Sequence, residues 1–293
     1  MKIVLLGKNG QVGWELQRAL APLGEVIALD RAEGADLSDP AALLSILRTH
    51  EPQVIVNAAA YTAVDKAEAE PELAQRINAQ APGILAEEAK KLGALLIHYS
   101  SDYVFDGSGE LPRDEEAATG PLSVYGVTKL AGEQAIRASG CQHLILRTSW
   151  VYAARGGNFA RTMLKLAAER EQLKVIADQI GAPTGADLLA DLSAHMLLAT
   201  RLEPGLGGTY HATASGETSW HAYALQVIEF ARLRGCAVRV AADQVLAIPT
   251  RDYPTPARRP LNSRLSTLKL QQRFGLRLPH WQQGVERMLA EIL

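Results

Sequence analysis

"KIVLLGKNGQVGWELQRAL", Lys2 to Leu20, decides the fold. A short apolar run of β type ends at Gly7, and Gly10 and Gly13 follow at three-residue spacing. Apolar residues then recur at helical spacing. Glycines between a strand and a helix permit a tight turn, close approach of backbone to a pyrophosphate, and close helix–strand packing. The helix N-terminus offers free N–H groups to the anion. Many strand–helix turns carry glycine for steric reasons alone, so this loop points to a dinucleotide only in company.

The company lies further along the chain. Apolar runs of β type recur at 25–30, 53–59, 95–101 and 143–150, separated by segments with helical periodicity. Their hydrophobicity is continuous rather than alternating, which marks strands covered on both faces, as in a parallel sheet. The alternation predicts an α/β fold with a doubly wound parallel sheet of Rossmann type. After Trp150 the pattern loosens. "GGTYHATA" reads as one more strand, whereas "IPTRDYPTPARRPLNSRLSTLKL" holds too much proline for a continuous helix or a central strand. The expected division is a dinucleotide-binding domain at 1–150, continued in about 171–230. Residues 151–170 and 231–293 would form a smaller C-terminal substrate lobe.

Composition narrows the partners. With 293 residues, 47% of them hydrophobic, and a formal net charge of -2, the chain has no basic footprint for nucleic acid or an anionic membrane. Its two cysteines, Cys141 and Cys236, have neither metal-ligand spacing nor a disulfide framework, which fits a reducing compartment. No stretch approaches the roughly 20 apolar residues of a membrane span, and the cytoplasm is the expected location.

Asp30 ends the second apolar run, where a carboxylate meets an adenosine ribose and favours NADH. Lys8 and Arg31 flank the same place and suit a 2'-phosphate, so NADPH is equally open. Asp36 and Leu37 precede a helix start; for Asp36, adenine contact and a helix-entry turn are both open. "HYSSDYVFDG" brings Ser101 and Asp102 to the C-terminal edge of the sheet, where α/β proteins bind ligands. In "VYGVTKLAGE", Tyr125 and Lys129 stand four apart on one helical face. A nearby ammonium lowers the pKa of a phenol, and a serine hydroxyl aimed at the same point steadies developing alkoxide charge. In this order, after a glycine loop, the three groups describe carbonyl reduction.

These segments, with "NAAAYTAVDKAE", "RTSWVY" and "DQIGAPT", resemble the dTDP-4-dehydrorhamnose reductase family of the extended short-chain dehydrogenases/reductases, nearly end to end. The resemblance implies NADPH or NADH as cofactor and a dTDP-sugar as substrate. By it, Gly7, Asn9, Gly10, Gln11, Val12 and Gly13 would hold the pyrophosphate. Asp30, Asp36 and Leu37 would hold the adenosine, and Ala60, Tyr61, Thr62 and Tyr99 the stretch nearer the nicotinamide. Tyr125, Lys129 and Ser101 would be catalytic, with Ser101 standing where many members carry threonine. Ser101, Asp102, Trp150 and Arg258 would contact the substrate. Trp150 is equally readable as a core anchor, and Arg258 with Arg259 as a solvated pair. Glu15 and Asp187 occupy places where relatives are thought to hold Mg²⁺ at a homodimer contact.

Two other functions are open on the same fold. A nucleotide-sugar epimerase or dehydratase is one, although Tyr103 stands where dehydratases carry a second acid after Asp102. The other is a non-catalytic nucleotide-binding regulatory subunit, which the presence of Ser101, Tyr125 and Lys129 argues against.

Overall fold

The computed structural model describes residues 1–293. Six parallel strands form the main sheet: Lys2–Leu6, Glu25–Leu29, Val54–Asn57, Leu95–Ser101, His143–Thr148 and Gly208–His211. Counted along the chain, their spatial order is 2-1-3-4-5-6. The order reverses between the first and third strands, so the crevice of the doubly wound fold opens there, outside the C-terminal strand ends.

Alternate residues of each strand feed opposite faces. Ile3, Leu5, Val54, Val56, Leu144 and Leu146 pack with helices Gln11–Leu20 and Ala186–Leu202. Val4, Leu6, Ile55, Leu96 and Ile145 pack with helices Pro40–His50, Ala81–Leu92 and Val124–Ser139 on the other side. Both layers are closed, which explains why the strands read as unbroken apolar runs.

A third cluster forms the second lobe. Tyr152, Met163, Leu173, Val175, Tyr223, Val227, Val245, Trp281 and Leu289 pack together. The side-chain clusters therefore divide the chain differently from the expected boundaries. Strand Leu173–Ile176 and helix Trp220–Leu233, both expected in the dinucleotide domain, pack in the second lobe. Leu173–Ile176 is apolar like a sheet strand but pairs only with Val245–Ile248. Conversely, Leu270 and Leu278 join the main core. Helix Ala186–Leu202 and strand Gly208–His211 pack with the main sheet.

The helix Val124–Ser139 is seated by two glycines. A Cβ at Gly126 would meet the Tyr103 carbonyl oxygen at 2.3 Å, and one at Gly132 would meet the Asn78 carbonyl oxygen at 2.2 Å. Asn78 lies in a π-helical turn, Arg76–Gln80, that precedes Pro82. Proline lacks the N–H that an α-helix would aim at the Asn78 carbonyl, which accounts for the widened turn. No helix is long and apolar enough to cross a membrane.

Candidate active site

The glycine turn is built as its spacing predicts. Gly7 takes φ +88°, a conformation that side chains rarely adopt, and a Cβ on Gly13 would lie 2.0 Å from the Gly7 carbonyl oxygen. The following helix starts at Gln11 with Gly10 as its N-cap and no side chain capping it, so its first N–H groups face the crevice unspent. A cleft of about 160 Å³ at the strand switch is lined by Gly7, Asn9, Gly10, Asp30, Leu37 and Ala60, among others. This cradle suits the pyrophosphate and adenosine side of a dinucleotide. Asn9 and Asp30 are hydrogen-bonded to each other, and Asp30 accepts from Ala32 N at 2.9 Å. The flanking cations are already paired, Lys8 with Glu33 and Arg31 with Asp36. Asp36 also accepts from the Ser38 backbone at 2.9 Å and hydroxyl at 2.7 Å, so its carboxylate serves the helix-entry turn. Those bonds hold it below the ordinary aspartate value.

The other cofactor candidates lie along the same edge. The second lobe reaches over the glycine turn: Asn158 donates to Gln11 at 3.4 Å, and the Arg155 guanidinium sits 3.8 Å from the Trp14 ring centroid. Val12 packs against the main core. Ala60, Tyr61 and Thr62 follow the third strand, with Thr62 exposed. Tyr61 is pinned by Asn78 through its N–H at 2.9 Å and by Glu70 through its phenol at 2.7 Å. The Tyr99 phenol turns the other way, to Ser193 at 2.5 Å, and only its backbone carbonyl faces the site.

Ser101, Tyr125 and Lys129 all lie at the C-terminal edge of the sheet. Ser101 ends its strand and donates to Asp102 Oδ1 at 2.9 Å, and its hydroxyl lies near the Tyr125 phenol. The Tyr125 ring packs edge-on against Tyr103, centroids 5.4 Å apart. The expected lowering of the phenol pKa is absent. Burial pushes Tyr125 up to about 12 and Lys129 down to about 8. The lysine is turned to the Tyr99 carbonyl at 2.6 Å and the His98 ring at 3.2 Å, so the phenol lacks a cation partner in this arrangement.

Asp102 is buried, and its Oδ2 has no hydrogen-bond partner. Burial raises it to about 6 although the hydroxyls of Ser263 and Ser101 lie close enough to lower it. A carboxyl raised in the folded state binds its proton more tightly there, so stability rises as pH falls from about 6 towards the ordinary 3.8. Above that window the buried charge is a liability of up to about 3 kcal/mol. Asp102→Asn should therefore stabilise the protein by about 1–3 kcal/mol at pH 8 and flatten this slope. Urea unfolding at pH 8 and at pH 5 measures it; equal stability of variant and wild type at both would contradict it. Retention of a destabilising carboxylate fits a ligand-facing role.

Trp150 holds a left-handed backbone, φ 48°, which is unusual for a bulky residue. Its indole stacks on Trp220 of the second lobe, centroids 3.6 Å apart, and Gly181 makes room for it, since a Cβ there would lie 2.9 Å from the ring. Arg258 is exposed, with no ion-pair partner. Arg259 is bound to Asp65 by hydrogen bonds of 3.0 and 2.7 Å, which makes it a tie between lobes instead of a free clamp. Glu68, near Asp65, accepts from Val124 N at 2.9 Å and so caps the helix that carries Tyr125. Within the single chain no Mg²⁺ donor set forms around Glu15 or Asp187. Glu15 bonds Arg18, Asp187 lies 3.5 Å from Arg287, and no three His, Cys, Asp or Glu side chains group to hold an ion.

Along all 293 residues the chain matches the RmlD substrate binding domain family. The chain belongs to that family. A relative from Escherichia coli (strain K12), dTDP-4-dehydrorhamnose reductase, is 56% identical over all of this chain and 98% of its own length. Another so named, from Burkholderia thailandensis, is 48% identical over 100% of this chain and 99% of its own. The crystal structure of the Bacillus anthracis dTDP-4-dehydrorhamnose reductase in complex with NADP superposes with a TM-score of 0.88 at 33% identity, covering 99% of each chain.

Within this RmlD-family chain, several site residues escaped sequence reasoning. Trp220, Ser263, Asn57 and the Asp65 tie to Arg259 join the site only through tertiary contacts between distant segments. "PLNSRL" signalled only irregular structure, yet its Ser263 reaches Asp102.

Proposed function

We propose that the protein reduces the C4 carbonyl of dTDP-4-dehydro-β-L-rhamnose to dTDP-β-L-rhamnose with NADPH or NADH, the last step of dTDP-L-rhamnose biosynthesis. The observation that supports this reading is that Ser101, Tyr125 and Lys129 lie at the same C-terminal sheet edge as the glycine-turn cleft. Their family setting names the sugar. A reduced nicotinamide, when bound, supplies the hydride. Gly7, Gly10 and the free N–H groups at Gln11 and Val12 would cradle the pyrophosphate, and Asn9 with Asp30 the adenosine side.

The chain's own groups supply the proton and the orientation. Tyr125, kept protonated by burial, carries the proton that the carbonyl oxygen receives. Ser101 orients that oxygen and hydrogen-bonds the charge that develops on it. Lys129, mobile on a four-carbon stem, would reach the nicotinamide ribose and favour the phenolate left after transfer. Asp102, with its spare Oδ2, and Trp150 would meet the sugar and nucleotide, and the unpaired Arg258 the diphosphate. The presence of the full proton-transfer group favours turnover over a purely regulatory role.

The test is the loss of reduced-nicotinamide absorbance when the protein meets dTDP-4-dehydro-β-L-rhamnose, with NADPH and NADH side by side. Rapid oxidation is expected and ranks the two cofactors. Cofactor binding without oxidation would overturn the assignment for this sugar.

A further inference from the structure

Beneath the site runs a buried chain of polar groups whose hydrogen-bond polarity can be read in one direction only. Asn57, His98 and Lys129 are each 1% exposed or less. The Ala59 backbone N–H donates to Asn57 Oδ1 at 3.3 Å. A backbone amide can only donate, so this contact fixes which way the Asn57 amide faces. Its Nδ2 then faces His98 Nδ1 at 3.1 Å and donates to it. Nδ1 is therefore an acceptor. Burial holds His98 well below the ordinary histidine range, so the ring is neutral and carries its proton on Nε2.

That Nε2–H points at Lys129 Nζ, 3.2 Å away. An ammonium has three donors and no acceptor, so it would meet the ring donor to donor. A neutral amine satisfies both contacts, accepting from His98 with its lone pair and donating to the Tyr99 carbonyl at 2.6 Å. We propose that Asn57 and His98 are positioning residues that favour the neutral amine of Lys129 while it rests against them. Lys129 takes up a proton from solvent and becomes a pure donor only when it leaves the ring.

The surrounding charges leave this device in control. Strand Leu95–Ser101 presents His98 and the Tyr99 carbonyl. The lysine's own helix presents Tyr125 one turn before it and Glu133 one turn after it, and the turn Asp102–Val104 adds Asp102 and Tyr103 beside Tyr125. Glu133 favours the charged lysine, but its carboxylate is neutralised by Arg147 at 2.7 Å and Arg137 at 3.0 Å. His98 Nδ1 ends on Asn57 and leads nowhere, so the chain sets charge and conducts no proton.

The direct test is two-bond ¹H–¹⁵N correlation on the full chain labelled in histidine and free of cofactor, with the His98 signals assigned by their loss in His98→Gln. The expected pattern is an unprotonated, pyridine-like Nδ1 and a protonated Nε2 that persist while exposed histidines titrate. A protonated Nδ1, or an imidazolium, would overturn the proposal. This arm needs no turnover and stands apart from the reductase reading; the effect on rate rests on that reading. Asn57→Asp would accept from Nδ1–H and reverse the tautomer, turning Nε2 into an acceptor for an ammonium. The basic limb of the kcat/KM profile should then move up by about one pH unit, a tenfold change. His98→Gln, whose amide can present its oxygen, should move it the same way if Asn57→Asp does not fold. An unmoved profile in a folded variant would remove the role in setting charge.

Discussion

Tyr125→Phe is expected to lower kcat by about 10²–10⁴-fold while leaving the affinity for reduced nicotinamide within about twofold of wild type. The substitution removes one oxygen and keeps the ring that packs edge-on against Tyr103, so the helix start and the cleft should survive it. What is lost is the phenol that faces Ser101 at the sheet edge. Burial holds this phenol at about 12, the protonation state that a reduction needs from its donor. Steady-state rates with fluorescence titration of NADPH measure the two halves. Near-normal turnover in the variant would remove Tyr125 from the chemistry, and with it the mechanism.

Glu133→Ala is expected to cost about 3–5 kcal/mol of folding stability. Glu133 is fully buried and accepts from Arg147 at 2.9 and 2.7 Å, from Arg137 at 3.0 Å and from Ser100 at 2.6 Å. Its removal strands Arg147, itself 3% exposed, without a counter-charge and leaves the Ser100 hydroxyl unpartnered. Burial would raise this carboxyl, yet hydrogen bonds from Arg147 and its neighbours hold it below the ordinary glutamate value. The stability it contributes is thus present above the ordinary 4.5 and is lost as pH falls through the folded-state value. Urea unfolding at neutral pH decides the matter; a loss below about 1 kcal/mol would mean that the ion cluster is not a structural keystone.

The direction of Asp102 is opposite to that of Glu133, and the contrast shows what sequence can and cannot convey. Both are carboxylates inside recognised motifs. Glu133 has two guanidiniums, one from a strand that begins ten residues later, whereas Asp102 has only uncharged hydroxyl and backbone neighbours. Nothing local distinguishes the two. The glycine spacing, the parallel strands and the Tyr125 to Lys129 interval were legible because each depends on neighbours within about one turn or one strand. The lobe boundary was not, because Leu173–Ile176 has the composition of a sheet strand and only its partner, Val245–Ile248, reveals where it belongs. The direction of the Tyr125 shift was misread for a related reason. Sequence spacing puts a lysine beside a tyrosine, but the rotamer that sends Lys129 to Tyr99 and His98 is chosen by the strand beneath.

The two contacts at Gly126 and Gly132 act as notches that index the helix like a screw in its thread. Each added residue turns an α-helix by about 100° and advances it 1.5 Å. The six-residue interval between the notches therefore fixes both rotation and depth for everything it encloses, Lys129 included. A one-residue insertion between them could not be absorbed by sliding, because one notch or the other would carry a side chain into a carbonyl oxygen. The count from Gly126 to Gly132 is thus a mechanical constant of the edge that carries Tyr125 and Lys129.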